Sequence, residues 1–171
     1  MIVEATNDDV PFITAIYAHY VRKTTCSFET RPPNCEEMGR RMTTVRQQGL
    51  PFLVAAADNR VIGYAYAALY RARVAYRYTV EDSIYIAPDF TGKGIGRALL
   101  TSLIDQCTHS GYRQMVAVIG DSGNAPSIGL HRSLGFRRAG VLESAGWKFN
   151  RWVDSVLMQR SLGDGNSCPP R

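Results

Sequence analysis

The chain has 171 residues, of which 45% are hydrophobic and 20% are charged, so its composition is that of one folded globular domain. Its formal net charge of +5 comes from scattered lysines and arginines, without a basic run between aromatic residues, so we expect no nucleic-acid partner. No apolar run approaches the roughly 20 residues that span a bilayer, and the N-terminus lacks a secretory signal pattern, so we expect a cytoplasmic protein with no membrane partner.

Short apolar runs and helical periodicity define the N-terminal half of the chain. In order, they predict a strand at Ile2 and Val3, a helix whose start is marked by residues 6–9, a second helix over about 35–48, and strands at 52–57 and 61–68. The first helix follows Asn7, Asp8 and Asp9, polar residues that favour helix N-termini. Asp58 and Asn59 separate the two strands, which therefore form a predicted β-hairpin.

The C-terminal half alternates strands and helices. The predicted elements are a loop at 71–78, strands at 79–86, 115–119, 136–141 and 149–157, a helix from Ile95 to Gly111, and a short helix at 124–134. Residues 163–171 are Gly, Pro and polar residues, which predict a flexible tail. The four cysteines lack metal-ligand spacing, so we expect no metal. Residues 1–162 are therefore predicted to form a single domain.

Three alternating glycines, Gly92, Gly94 and Gly96, lie between a predicted strand and a predicted helix. A glycine turn followed by a helix N-terminus presents several backbone N–H groups at one point, which favours a phosphate or pyrophosphate ligand. Lys93 is followed by Gly94, so the turn is not a P-loop, and its spacing is not that of a dinucleotide fingerprint. A turn that only lets the helix pack close to the sheet is the alternative interpretation.

The same segment resembles the acyl-CoA-binding motif of the GCN5-related N-acetyltransferases, the GNAT family. That motif is Arg/Gln-x-x-Gly-x-Gly/Ala, and residues 91–96, Thr-Gly-Lys-Gly-Ile-Gly, match it except that Thr91 stands where Arg or Gln is usual. The predicted order β-α-α-β-β-β-α-β-α-β-β is also that of the family. The resemblance therefore implies the α/β GNAT fold, with a mixed central sheet of about seven strands flanked by about four helices.

Three further stretches are similar to one branch of this family, the phosphinothricin and methionine-sulfoximine N-acetyltransferases. They are TVEDSIYI at 79–86, NAPSIGLHRSLGF at 124–136, and GWKFNRWVD at 146–154, in which Asn150 replaces the usual glycine. The resemblance implies direct transfer of an acetyl group from acetyl-CoA to the α-amino group of a small amino acid or amino-acid-like toxin, within a ternary complex.

The resemblance also assigns candidate catalytic residues. Glu81 is the candidate base that deprotonates the attacking ammonium, and burial would have to raise its pKa from about 4.3. The alternative is that Glu81 only binds the ammonium. His131 occupies a position where many relatives have Tyr, and it is the candidate acid for the leaving thiolate. Packing against the pantetheine arm is the alternative role for His131.

The binding residues are carried over in the same way. The expected cofactor-binding residues are Ile84, Tyr85, Ile86, Thr91, Gly92, Lys93, Gly94, Ile95, Gly96, Arg97 and Asn124. Asn124 has a second interpretation as a helix N-cap. The expected substrate-binding residues are Phe28, Arg71, Arg73, Glu81, Asp82 and Ser83. A guanidinium is suited to bidentate binding of a carboxylate or phosphinate, which is why the two loop arginines are included.

Two rival functions stay open at this point. One is a GNAT enzyme acting on another amine, such as a polyamine, an aminoglycoside or a protein N-terminus, and the other is a non-catalytic acyl-CoA-binding module. By analogy with the branch, we expect a homodimer. Trp147 and Trp152 are expected as core or dimer contacts rather than catalytic groups.

Overall fold

The computed structural model of the chain describes residues 1–57 and 60–170, and within them the chain forms seven β-strands and four α-helices. The elements are β1 (Ile2–Glu4), α1 (Val10–Lys23), α2 (Cys35–Gln47), β2 (Phe52–Ala57), β3 (Arg60–Leu69), β4 (Thr79–Ile86), α3 (Ile95–His109), β5 (Gln114–Gly120), α4 (Ala125–Ser133), β6 (Arg137–Lys148) and β7 (Arg151–Ser161). This order confirms the predicted one. Asp58 and Asn59 of the predicted hairpin turn and Arg171 of the predicted tail lie outside the described residues.

All seven strands belong to one mixed sheet in the order β1-β2-β3-β4-β5-β7-β6. Neighbouring strands are antiparallel except β4 and β5, which are parallel. Their pairing runs from Thr79 opposite Gln114 to Asp82 opposite Ala117 and ends there, although both strands continue. We call the space between residues 83–86 of β4 and 118–120 of β5 the β4–β5 gap. It leaves backbone edges of two adjacent strands available to a ligand.

Helices cover both faces of this sheet. Tyr85 of β4 packs against Tyr17 of α1, with ring centroids 5.0 Å apart, which places α1 on one face. The next residue, Ile86, lies beside Gly96 of α3 on the other face, because side chains alternate along a strand. The buried side of α3 consists of Leu99, Leu100, Leu103, Ile104 and Cys107, the apolar stripe that the sequence predicts.

The last two strands are longer than the sequence predicts. β6 extends to Lys148, whereas the apolar run predicts an end at Val141, because β6 is an edge strand and its residues 142–145 are exposed and form no continuous apolar run. The turn between β6 and β7 is Phe149-Asn150, and both residues have positive φ, +52° and +56°. The family's glycine at position 150 is explained by this left-handed backbone, which Asn tolerates better than most residues.

Among the described residues, no helix has the length and apolar character needed to cross a membrane.

Candidate functional site

A cavity of about 620 Å³ opens at the β4–β5 gap. Its walls are residues 82–86 of β4, residues 117–120 of β5, the glycine turn and the inner side of α4. The sequence-predicted cofactor residues Ile84, Tyr85, Ile86 and Asn124 therefore line one cavity together with Arg97. An elongated ligand that binds backbone groups of both strands would have its other end at the glycine turn.

The glycine turn lines the cavity through Thr91, Gly92, Gly94 and Gly96. Gly92 and Gly94 have φ of +73° and +80°, so both positions use the left-handed backbone that side chains disfavour. Gly94 directly precedes Ile95, the first residue of α3. The first N–H groups of this helix have no partner within the helix, and no side chain among the described residues caps them. Thr91 caps the turn by donating its hydroxyl hydrogen to the carbonyl of Pro88, over 3.1 Å.

Lys93 and Gly96 have different local roles in this turn. The Lys93 ammonium donates to the carbonyl of Asp89 over 2.9 Å and is exposed, so it adds positive charge at the mouth of the cavity. A Cβ on Gly96 would lie 3.2 Å from Leu130 Cδ2 of α4, so this glycine allows α3 and α4 to pack closely. The turn is therefore compatible with both interpretations of the sequence: left-handed backbone at Gly92 and Gly94, which an anion site would use, and close packing at Gly96.

Asn124 holds the start of α4. Its side-chain oxygen accepts from the N–H of Ser127 at 3.3 Å, which is the N-cap role. Its amide nitrogen donates to Cys26 Sγ at 3.3 Å and to the carbonyl of Gly120 at 3.4 Å. Asn124 therefore joins the first residues of α4 to the end of β5 and to the chain segment after α1.

Sequence reasoning missed several residues that line the cavity, among them Tyr20, Cys26 and Gly120. The Tyr20 hydroxyl donates to the carbonyl of Ile86 over 2.6 Å. A Cβ on Gly120 would lie 2.3 Å from the carbonyl oxygen of Thr25, so the two chain segments touch through their backbones. A glycine that ends an apolar strand run was the available signal for this close approach. Tyr20 and Cys26 gave no signal of their own.

Glu81 lies on β4 one residue before its pairing with β5 ends, with its side chain half-buried. Burial raises the pKa of this carboxyl, the neighbouring Asp82 raises it further, and Arg71 lowers it. The direction is the one that a catalytic base requires. Ser83 lies two residues further along the same face, opposite Tyr66 of β3.

Asp82 lies on the opposite face and is paired with His131 of α4. His131 Nε2 is 3.0 Å from Asp82 Oδ2, and its Nδ1 is 2.8 Å from the carbonyl oxygen of Ser127. Both side chains are buried, with 2% and 1% of their surfaces exposed for His131 and Asp82. Because both ring nitrogens face acceptors, the imidazolium form satisfies both contacts, and each N–H is donated within the protein.

The charge state of this pair follows from its contacts. Burial by itself lowers the pKa of His131, but the hydrogen bond and charge of Asp82 outweigh it and raise this pKa above its usual value. The second carboxylate oxygen of Asp82 is buried and has no hydrogen-bond partner among the described residues. In this structure the Asp82 carboxylate therefore pairs with His131, on the face of β4 opposite Glu81, and Asp82 also lines the cavity.

The remaining predicted substrate residues lie on two loops, one before β4 and one after α1. Arg71 and Arg73 are exposed in the loop before β4, and the Arg71 guanidinium lies 4.8 Å from the ring centroid of Tyr70. Phe28 follows α1 and is 41% exposed. A Cβ on Gly146 of β6 would lie 3.1 Å from its ring, so the Phe28 ring rests on the backbone of β6.

A metal site was not expected, and within the described residues no cluster of three His, Cys, Asp or Glu side chains has an arrangement that could hold a metal ion.

Comparisons with known proteins agree with this geometry. Residues 13–136 match the acetyltransferase (GNAT) family. A phosphinothricin N-acetyltransferase from Alcaligenes faecalis is 56% identical over 164 residues, covering 96% of this chain and 83% of that protein. An L-methionine sulfoximine/L-methionine sulfone acetyltransferase from Pseudomonas aeruginosa is 42% identical over 162 residues, covering 94% of each chain.

A solved structure extends the likeness to three dimensions. The crystal structure of a GNAT superfamily phosphinothricin acetyltransferase from Sinorhizobium meliloti in complex with acetyl-CoA matches this chain with a TM-score of 0.97 at 44% identity. The match covers 100% of this chain and 92% of that one. The resemblance seen in the sequence is thereby confirmed, and the chain belongs to the GNAT family of acetyltransferases.

Proposed function

We propose that this protein transfers the acetyl group of acetyl-CoA to the α-amino group of a small amino acid or amino-acid-like toxin, by direct transfer in a ternary complex. Phosphinothricin, methionine sulfoximine and methionine sulfone are the proposed acceptors, because the relatives named above carry those substrates in their names. One observation carries the proposal: the half-buried Glu81 lies where β4 and β5 separate, beside the cavity.

The cavity fits acetyl-CoA. Left-handed backbone at Gly92 and Gly94 keeps side chains away from the first N–H groups of α3, which would hold the pyrophosphate. The separated edges of β4 and β5 offer backbone donors and acceptors for the amide groups of the pantetheine arm. Bound there, acetyl-CoA supplies the acetyl thioester and the leaving thiol. Thr91 has its hydroxyl committed to the turn itself, so backbone groups replace the usual Arg or Gln side chain.

Glu81 takes the proton in this proposal. An ammonium has no lone pair, so the acceptor must lose a proton before its nitrogen attacks the thioester carbon. The raised pKa of Glu81 makes it a stronger base than an exposed carboxylate, and it accepts this proton directly or through a water. A backbone N–H of residues 84–86 is the proposed donor to the developing oxyanion.

The geometry of His131 argues against the first of its two expected roles, that of an acid for the leaving thiolate. Both ring nitrogens are engaged, by Asp82 and by Ser127, so neither N–H is free for the leaving thiolate. His131 is therefore proposed to fix α4 against β4 rather than to donate a proton itself. Arg71 and Arg73 are proposed to bind the acidic group of the acceptor, since their charges disfavour a polyamine or an aminoglycoside.

A thiol-release assay tests this function. The purified protein is mixed with acetyl-CoA and, in separate reactions, with phosphinothricin, methionine sulfone, spermidine, an aminoglycoside and a peptide with a free N-terminus. Turnover is expected with the first two, and the product should carry the acetyl group on its α-nitrogen by mass spectrometry. Turnover of spermidine alone would overturn the proposed acceptor class. Binding of acetyl-CoA without turnover of any amine would favour the non-catalytic module.

We also propose a cytoplasmic homodimer. Four apolar side chains of β6, β7 and their turn are more than half exposed: Leu142 at 54%, Trp147 at 56%, Phe149 at 53% and Trp152 at 61%. Such a patch on an edge strand supports an interface with a second copy. The free thiols of Cys26, Cys35, Cys107 and Cys168 are typical of a cytoplasmic protein. Light scattering would show twice the monomer mass, and a monomer at assay concentration would contradict the dimer.

A further inference from the structure

The chain segment after α1, residues 25–29, which we call the Phe28 segment, is fixed by contacts to several other elements. The Thr25 hydroxyl donates to Asp121 Oδ2 over 2.8 Å, in the loop after β5. The hydroxyls of Ser27 and Tyr17 of α1 are 2.9 Å apart. Glu29 accepts from the Tyr17 hydroxyl at 2.8 Å and pairs with Arg41 of α2 at 2.6 Å. A loop with this many fixed points presents its remaining side chain, Phe28, in one place.

Lys148, the last residue of β6, makes the most unusual of these contacts. Its ammonium donates to the carbonyl oxygen of Ser27 over 2.6 Å, and the residue is only 4% exposed. Burial lowers the pKa of Lys148, as expected for an ammonium withdrawn from water. Buried lysines are rare, and this one has a backbone carbonyl as its hydrogen-bond partner, across 121 positions of sequence. The contact therefore ties the β6–β7 hairpin to the main chain beside Phe28.

Gly146 makes the second contact from the same hairpin. A Cβ at this position would lie 3.1, 3.2 and 3.4 Å from three carbons of the Phe28 ring. These distances are shorter than ordinary van der Waals contact, so the Phe28 ring lies against the bare backbone of β6. The other glycine of β6, Gly140, has open space where its Cβ would be. Lack of a side chain therefore matters at Gly146 and not at Gly140.

We propose that Lys148 and Gly146 are positioning residues that fix Phe28 as a wall of the acceptor site and so set the size of amino acid that the enzyme accepts. The inference rests on the proposed function, because it needs the acceptor to bind on the Glu81 face of β4. The Phe28 segment belongs to that face, since Ser27 and Glu29 bond Tyr17, whose ring packs on Tyr85. It also gives the Gly-x-Lys part of the 146–154 stretch a role: the glycine admits the ring, and the lysine holds the adjacent main chain.

The first test is Lys148→Met, with Lys23→Met as the matched control, because Lys23 ends α1 and is exposed. Loss of a hydrogen bond to a charged group should raise the KM for the acceptor about tenfold or more. The KM for acetyl-CoA should stay within about twofold, since Lys148 does not line the cavity wall at the β4–β5 gap. Equal changes in both KM values, or an unchanged acceptor KM, would overturn the positioning role.

The second test is Gly146→Ala, with Gly140→Ala as its control on the same strand. The added methyl group must displace the Phe28 ring from β6 by a few tenths of an ångström. Under the proposal, this displacement narrows the acceptor site. We expect kcat/KM for phosphinothricin to fall about threefold or more relative to kcat/KM for a smaller acceptor, alanine. Gly140→Ala should leave this ratio unchanged. The same ratio in both variants would contradict the assignment of Gly146.

A third measurement separates failure of this inference from failure of the proposed function. Hydrogen exchange of residues 25–29 needs no substrate, and it should speed up in Lys148→Met but not in Lys23→Met. If exchange is faster in Lys148→Met but the protein acetylates no amino acid, Lys148 does fix the Phe28 segment and the proposed acceptor class is wrong. Unchanged exchange would show that Lys148 does not fix the Phe28 segment, whatever the substrate is. If Lys148→Met does not fold, Gly146→Ala alone decides whether the hairpin sets the acceptor size.

Discussion

Glu81 and Asp82 are consecutive carboxylates of β4 in opposite chemical situations. Glu81 is half-buried near the exposed loop arginine Arg71, and burial raises its pKa. Asp82 is buried on the other face and is held 3.0 Å from the ring of His131. The alternation of a strand therefore places one carboxylate where a proton can be exchanged and the next where the charge is neutralised within the core.

This alternation continues along β4. Tyr85 lies on the Glu81 face and packs against Tyr17 of α1, whereas Ile84 and Ile86 lie on the Asp82 face beside Gly96 of α3. According to the function proposed above, we call these the acceptor face and the cofactor face of β4. If the strand separates the two substrates in this way, a substitution on one face should change the KM for one substrate and leave the KM for the other substrate unchanged.

The largest expected effect is that of Glu81→Gln. The amide has nearly the size of the carboxylate but accepts no proton, so kcat should fall by about 10²- to 10⁴-fold. The difference in kcat between wild type and Glu81→Gln should become smaller as pH rises towards the pKa of the acceptor amine, because a free amine needs no base. Rates with phosphinothricin across pH 6–10 would show both effects. The wild-type rate should also fall at low pH, as Glu81 is protonated through its raised pKa.

An exposed glutamate supplies the control for this variant. Glu143 of β6 is exposed and does not line the cavity, and Glu143→Gln removes the same charge. Equal rates for Glu81→Gln and Glu143→Gln across the pH range would remove Glu81 from the base role. A change in acceptor KM alone, with kcat retained, would reduce Glu81 to a ligand of the ammonium, the alternative that the sequence leaves open.

Asp82→Ala should mainly reduce stability. The substitution leaves the His131 ring buried without its charged partner, which costs about 3–5 kcal/mol of unfolding free energy. The double variant Asp82→Ala/His131→Ala should lose less than the sum of the two single losses, since it leaves no orphaned charge. Urea unfolding of the four proteins measures this coupling. Additive losses would show that the two side chains do not act as a pair.

The sequence predicted what is local and missed what is distant along the chain. One continuous stretch contains the strand Thr79–Ile86, the base candidate Glu81 and the glycine turn. The local sequence pattern of this stretch is enough to predict all three. The pairing of Asp82 with His131 joins positions 49 residues apart, and that of Lys148 with Ser27 joins positions 121 apart. No periodicity encodes such contacts, because they depend on how α4 and the β6–β7 hairpin pack. The length of β6 was missed for the opposite reason: an exposed edge strand needs no apolar run.

A smaller effect is expected of pH on the contribution of His131 to the free energy of unfolding. The pKa of His131 is raised in the folded protein above its ordinary value of 6.5. A raised histidine pKa contributes stability that is fully present below about 6.5 and is lost as pH rises through the folded-state pKa. The difference in unfolding free energy between wild type and His131→Gln should therefore shrink from pH 6 to pH 9. A constant difference over this range would mean that His131 is neutral in the folded state.

The smallest effect is expected from Gly96→Ala in α3, the helix that packs on the cofactor face of β4. The new Cβ would lie 3.2 Å from Leu130 Cδ2, which lines the cavity, and 3.8 and 3.9 Å from Ile86 and Ile84. Because the end of a leucine can give way, we expect the KM for acetyl-CoA to rise about fivefold, which corresponds to about 1 kcal/mol. The acceptor KM should not change, because the β4 side chains nearest to the new Cβ, Ile84 and Ile86, lie on the cofactor face.

Gly39→Ala is the control for this last variant, since it lies in α2 with open space around its Cβ position. It should leave both KM values unchanged and slightly stabilise the protein, as replacement of a helical glycine does. A rise in acceptor KM for Gly96→Ala, equal to the rise for acetyl-CoA, would mean that a shift of α3 passes through β4 to its other side. The strand would then couple its two substrates rather than separate them.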